Sequence, residues 1–434
     1  MGRFNRVVGM TVGAIFASAG LAHAEAVAPS DASSAAQSSK APIYLDAMMP
    51  ASGPAVAAPA SEPASRKPLM AALDGIGLAK PLDNAHINIF GFVEGSYNYN
   101  LTAPKGNPNE GRTFDQYKNQ GVFDQADITI ERTVDVTKKE WDLGFRVETL
   151  WGSDASQVHS NGVFDWYDSP TDPQNQWDLN QAYVDLAVPL GNGIRIRAGK
   201  YVTPLGAETI NPNGVPFFSR GYLFNYAIPF TQTGVIGTYA LDDNWTVEGG
   251  LFRGWEQSTR DNNGSPSFEG KVAYLTTDKK LSIVNNLVTG PEQADNTSNY
   301  RTVWDLLVCY TPDPTGPWTF MVNTDYGYEP NVPGVGDSQW YGIAGYTGYA
   351  LNTKCTLNGR LEWFRDNDGS RIGVVGDFYE ATLGVTIKPF PTSAMASGLL
   401  IRPEIRWDHS DNAFFGRGQD KDQATLAVDM IFNF

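Results

Sequence analysis

The chain has 434 residues, long enough for several soluble domains or one large barrel. Its formal charge of −16 excludes the basic face that phosphate binding needs, so nucleic acid is not an expected partner. Apolar residues make up 41% and aromatics 12%, with 44 glycines, a mix that suits many strands with aromatic ends and tight turns more than it suits helices.

Residues 1–24 read as a secretory signal peptide. Arg3 and Arg6 precede an apolar run from Val7 to Leu21, and Ala22-His23-Ala24 forms a small-residue cleavage site. Cleavage after Ala24 takes the charge from −16 to −18; the alternative is an uncleaved anchor helix. No later stretch holds the ~18 consecutive apolar residues of a spanning helix, so any membrane crossing must be made by strands. Residues 25–66 are rich in Ala, Ser and Pro and cannot bury a core, which implies a disordered leader. Residues 67–85 form a lead-in, either a short helix opening at Pro68 or an ordered coil.

From residue 86 to the end, period-two alternation is sustained. Trp141, Leu143, Phe145, Val147, Thr149 and Trp151 share one face, while Asp142, Arg146 and Glu148 lie on the other. Aromatics at both ends of one face and charges on the opposite face are the pattern of a membrane strand. The same holds for Trp318 to Tyr326 and Leu399 to Trp407. The connections alternate as well, short at 133–140, 189–193, 241–244, 312–317 and 351–354, long at 101–121, 152–176, 203–229, 256–266, 290–299 and 409–422. Counting gives an all-β transmembrane antiparallel barrel of about 16 strands, even as bacterial barrels require. The last strand, ATLAVDMIFNF, puts Phe432 and Phe434 on its apolar face; in a closed ring that face meets outer-membrane lipid. A soluble sandwich is disfavoured, because its strands run ~5–6 residues and its second face is seldom so charged.

The inward face then carries charges of both signs, which implies water inside. Arg146, Arg195, Arg197, Arg360, Arg402 and Arg406, from strands three, five, thirteen and fifteen, either form one basic wall or pair with inward carboxylates such as Glu94 and Glu148. The connection 203–229 is unusually long and apolar, and includes Phe217, Phe218, Tyr222, Leu223, Phe224 and Tyr226, with Glu208 and Arg220 as its charged residues. So apolar a loop avoids water by folding into the barrel and narrowing it, or by capping the outer loops. In the first case Glu208, Arg220, Tyr222 and Tyr226 form a constriction, and Glu208 and Arg220 set a transverse field against the wall arginines.

Catalysis finds little support. Beyond the signal, His86, His159 and His409 stand outside the predicted wall strands, and no metal-spaced cluster or nucleotide-binding glycine motif appears, so no catalytic residue, metal or cofactor is expected. DNNG (261–264) and DNDGS (366–370) read as Asx-rich turns. Cys309 and Cys355 fall on opposite faces of strands three places apart, too distant for a disulfide, so both are expected to be unpaired thiols.

FGFVEGSYNYN (90–100), AGKYVTPLGAE (198–208), PFFSRGYLFNYAIPFTQTGV (216–235), LLIRPEIRWDHSD (399–411) and DQATLAVDMIFNF (422–434) together resemble the OmpL-like β-barrel porins (beta-barrel porin-2) over residues 86–434. The usual PFTHTG phrase of that family is PFTQTG here, with Gln232 in place of His. The resemblance implies a Gram-negative outer-membrane porin passing small hydrophilic solutes or ions. It implies that Phe432 and Phe434 belong to a C-terminal signal read by the barrel-assembly machinery, and a homotrimer follows from the habit of porins alone. The alternative is a closed or substrate-specific barrel, acting as an adhesin, a binding protein or a specific uptake channel.

Overall fold

The computed structural model describes residues 68–102, 108–162, 174–393 and 395–434; the expected signal peptide and leader lie outside the described residues. Two short helices, α1 (Pro68–Gly75) and α2 (Ala79–Asn84), lead into the first strand. The first eight strands are β1 (Asn88–Asn100), β2 (Gly121–Arg132), β3 (Asp142–Gly152), β4 (Gln176–Val188), β5 (Ile194–Val202), β6 (Thr231–Ala240), β7 (Trp245–Phe252) and β8 (Ser267–Leu275). They are followed by β9 (Leu281–Pro291), β10 (Tyr300–Tyr310), β11 (Trp318–Val332), β12 (Gly336–Asn352), β13 (Cys355–Asp366), β14 (Gly376–Ile387), β15 (Leu399–Ser410) and β16 (Asp422–Asn433). Each strand pairs with its sequence neighbours, and β16 pairs antiparallel with β1, so the sixteen strands form a closed barrel with no free edge.

Ring closure uses the last residue. The Gly91 N–H donates to the Phe434 carbonyl at 3.0 Å, and the Phe434 N–H donates back to Gly91 at 2.9 Å. Gly91 leaves room for this. A Cβ there would lie 2.1 Å from the Asp127 carbonyl oxygen and 3.0 Å from the Phe434 ring. The terminal side chain thus packs over a strand position that tolerates no side chain.

Alternation sets the two faces as the sequence indicates. Along β16, Leu426, Val428 and Met430 are exposed while Gln423, Thr425, Asp429 and Ile431 are buried. The exposed face carries aromatics at both strand ends. Trp245 packs on Tyr274 at 4.7 Å and Trp318 on Tyr349 at 4.6 Å toward the short turns; Phe123 packs on Trp151 at 5.0 Å and Tyr341 on Trp363 at 5.6 Å toward the long loops. Tyrosine and tryptophan at these two levels suit an apolar band with wet margins. Cys309 lies on the inward face of β10 and Cys355 on the outward face of β13, and neither forms a disulfide.

Two connections depart from the length pattern. Residues 333–335, on the long-loop side, form a tight turn because β11 and β12 keep their alternation for 15 and 17 residues. Residues 388–398, on the short-turn side, form a longer connection than their side predicts. DNNG and DNDGS form turns as expected; Asp366 accepts the backbone N–H groups of Gly369, Ser370, Arg371 and Ile372.

The closure geometry sets a test. Gly91→Ala should lower barrel stability by about 1–3 kcal/mol through overpacking. Gly345→Ala, where a Cβ meets nothing within 4 Å, should leave it unchanged. Urea unfolding from lipid vesicles measures both.

Candidate functional site

The connection between β5 and β6 begins at Thr203, and from Thr203 to Phe230 nearly every residue is buried. A segment this apolar still carries backbone N–H and C=O groups that need partners. The inward side chains of β11 to β16 supply them. Along β15 the inward residues alternate in charge sign, and each meets loop atoms of opposite polarity. Arg402 donates to the carbonyls of Pro212 and Val215 at 2.7 and 2.6 Å. Glu404 accepts the N–H groups of Phe218 at 2.9 Å and Ser219 at 3.3 Å. Arg406 donates to the Arg220 carbonyl at 2.5 Å, and Asp408 accepts the Tyr222 hydroxyl at 2.9 Å.

Strand β13 adds a second row. Arg360 pairs with Glu208 and with Glu380, both at 2.5 Å, and donates to the Ser219 carbonyl at 2.8 Å. Glu362 accepts the N–H groups of Tyr222 and Leu223, both at 2.6 Å. Farther along the wall, Asn323 accepts the Ala207 N–H at 3.1 Å and Trp340 donates to the Ala227 carbonyl at 3.0 Å. At the ring seam, Asn433 donates to the Asn213 side chain at 2.9 Å, and Arg402 reaches Asp429 on β16 and Glu94 on β1. Apolar packing fills the spaces between. Phe217, Tyr222, Leu223, Tyr226 and Ile228 join wall residues Val284, Val288, Val303, Leu307, Phe364 and Phe378 in one cluster. Phe224 and Phe230 pack with Phe114 of the first outer loop and with Ala155 and Val158 of the second. Tyr222 burial also pushes its phenol well above the ordinary range, with Asp408 adding to the shift.

The six arginines therefore do not make one basic wall. Arg360, Arg402 and Arg406 grip the loop, with side chains 0%, 3% and 0% exposed. Arg146, Arg195 and Arg197 stand on another arc of the ring, at 13%, 11% and 9%, and keep some contact with solvent. Arg146 pairs with Glu131 at 2.8 Å and Glu148 at 2.6 Å, and Arg197 with Asp185 at 2.9 Å, its guanidinium over the Tyr183 ring. Arg195, Thr238, Glu248 and Lys271 are direct cross-strand partners from β5 to β8. Thr238 donates to Glu248 at 2.6 Å, and Lys271 pairs with Glu248 at 2.8 Å.

The expected field between Glu208, Arg220 and the wall arginines also needs correction. Glu208 is consumed in the Arg360 pair and in accepting the Gly221 N–H at 2.6 Å. Arg220 turns into the loop and donates to the carbonyls of Thr209, Phe218 and Ile210, with Phe114 and Phe224 against its guanidinium. Both are spent on backbone satisfaction, the stronger demand in a buried segment. Tyr222 and Tyr226 are buried in the apolar cluster. Sequence reasoning did not single out Glu362, Glu404 and Asp408 as loop partners, nor Arg112, which bridges Asp115 and Asp408. The alternating signs in IRPEIRWD were the available signal. Of the histidines, His159 has its ring nitrogens on Asp178 at 2.9 Å and Gln176 at 2.8 Å.

A model of the family described as "Putative beta-barrel porin-2, OmpL-like" matches residues 86–434. Among solved structures, the barrel is similar to an anion-selective porin from Comamonas acidovorans, at 13% identity and a TM-score of 0.53, over 80% of this chain and 99% of that one. It is similar to OprB of Pseudomonas putida at 12% identity and a TM-score of 0.53, over 83% and 97% of the two chains. A loop-deleted OmpT, an outer membrane protein of Vibrio cholerae, aligns at 13% identity and a TM-score of 0.51, over 80% and 99%. No curated protein sequence matches the chain.

Replacing Arg360 by Met should leave Glu208 buried without its cation and Glu380 with Arg406 alone, which costs about 3–5 kcal/mol. Arg146→Met, on the partly hydrated arc, should cost clearly less. The difference in urea unfolding midpoints measures this; equal losses would contradict the distinction between the two arcs.

Proposed function

We propose a narrowed rather than a wide-open channel for this chain, which belongs to the OmpL-like β-barrel porin-2 family and is an outer-membrane porin. In this reading the 203–229 segment lies in the lumen, seated on the wall from β11 to β16, and small hydrophilic solutes or ions pass along the arc from β2 to β8. The observation that carries it is the split among the arginines: those bonded to the loop are dry, while Arg146, Arg195, Arg197 and Lys271 keep 9–13% exposure. Their partners are Glu131, Glu148, Asp185 and Glu248, so each of these four cations stands against a carboxylate, while Asp127 and Glu269 on the same arc are buried and Asp178 pairs with Lys200. Matched ion pairs favour weak charge selection, and removing one sign should reveal the other.

The loop grip favours restricted or substrate-specific passage over general diffusion, and a sealed barrel used for binding or adhesion is the remaining alternative. The role is transport rather than catalysis. Cleavage after Ala24, reading of Phe432 and Phe434 by the assembly machinery, and a homotrimer belong to the same proposal; the chain's membership in a porin family supports them.

Planar-bilayer recordings of the chain from Glu25 onward test this reading. Small, steady openings are expected, with weak ion selectivity in a salt gradient. Replacing Arg195 and Arg197 by Gln leaves Glu248 and Asp185 without those partners, so the reversal potential should move toward cations. An unmoved reversal potential would remove the arc from the conduction path, and silence from folded protein would favour the sealed barrel.

A further inference from the structure

The outer end of the same loop is held by a different set of groups. Glu256, on the connection after β7, accepts the Phe230 N–H. Its own backbone is left-handed, with φ +49°, a region disfavoured for a residue with a Cβ. Glu292, just past β9, accepts the Trp255 N–H and the Ser267 hydroxyl, both at 2.7 Å. One carboxylate thus holds the outer connection, and the next holds the end of the loop. The Trp255 indole lies against two guanidinium groups, Arg301 at 4.6 Å and Arg371 at 5.2 Å. Arg371 also stacks on Trp340 at 4.7 Å and donates to the Tyr226 carbonyl at 2.6 Å. Glu329 accepts from Arg301 at 2.7 Å, and Asp366 accepts the Arg371 N–H at 2.8 Å. Glu256, Glu292 and Arg371 are 4%, 8% and 3% exposed.

We propose that this cluster is a proton-operated latch on Tyr226–Phe230, tight in acid and loosened as the medium becomes neutral. Two buried carboxyls linked in series to one loop are stable together when neutral, and ionising both places like charges in a site with little water. Burial, reinforced by Glu292 for Glu256 and by Glu329 for Glu292, pushes both carboxyls up to about 7, against the pull of the Phe230 N–H on Glu256 and of Arg301 on Glu292. Burial and the neighbouring Arg301 push the Arg371 guanidinium down to about 9, so it stays charged across the same window. When the loop end lifts, water returns the carboxyls toward their ordinary value of 4.5. The seated state therefore binds more protons. Its advantage is complete below the ordinary value and is lost as pH rises through about 7. The strained backbone of Glu256 makes its connection the element that yields.

Hydrogen exchange of the folded full chain in detergent micelles, read on peptides covering residues 222–231 at pH 5 and pH 8 and corrected for intrinsic rates, tests the latch whether or not the barrel conducts. In the wild type, protection should fall by about tenfold or more from pH 5 to pH 8, because every tenfold gain in a carboxyl's acidity on lifting favours the lifted state by the same factor once that carboxyl is ionised. The doubly substituted Glu256→Gln, Glu292→Gln protein cannot ionise and should keep its acid-level protection at both pH values. Should that protein fail to fold, Glu292→Gln alone, which keeps the clamp on Phe230, should show a reduced step. Equal wild-type protection at both pH values, or an undiminished step in either variant, would overturn the proposal.

Discussion

A long apolar segment with its backbone buried needs a hydrogen-bond partner for nearly every peptide group, and the barrel wall provides them as charges. On β15 the cations Arg402 and Arg406 take loop carbonyls, while the anions Glu404 and Asp408 take N–H and O–H donors. On β13, Arg360 and Glu362 divide the work in the same way. Buried charges are expensive unless paired and fully bonded. Here each is paired with another wall or loop charge, or spent on several loop donors, so the desolvation cost is offset by contacts that also fix the course of the loop.

The same side chains tie loop seating to ring closure. Arg402 bonds the loop on one side and reaches Asp429 on β16 and Glu94 on β1 on the other, spanning the seam. Asn433, next to the terminal Phe434, holds Asn213. The loop therefore has its full set of partners only when β16 has paired with β1. Away from this arc, from β2 to β8, the inward charges bond mostly to one another; Arg146, Arg195, Arg197 and Lys271 keep contact with water, and the proposed path for solutes runs past them.

Much of the architecture was legible because hydrophobicity alternates with unbroken parity in a membrane strand. The strand total, the outward Phe434 and the opposite faces of Cys309 and Cys355 all follow from parity. Parity also overran its use: in GDSQWYGIAGYTGYALN it continues past the apolar band, which hid the tight turn before β12. Pairing across the barrel was not legible. Glu208 and Arg360 are 152 positions apart, and nothing local to either names the other. Arg220 looked available to a solute because it is one of few charges in an apolar loop, yet that same isolation leaves it as the nearest donor for three loop carbonyls.

The course of the loop down the wall to the ring seam rests on the contact between Asn213 and Asn433. The sharpest test is cross-linking of Asn213→Cys with Asn433→Cys by a short thiol-reactive bifunctional reagent in outer membranes, with Cys309 and Cys355 replaced by Ala. A seated loop brings these side chains together, at 2.9 Å between the native amides, and predicts near-complete intramolecular cross-linking. Two thiols that stay free and react with a bulky maleimide would contradict it, because the loop would then lie away from the seam and its wall partners would need another explanation.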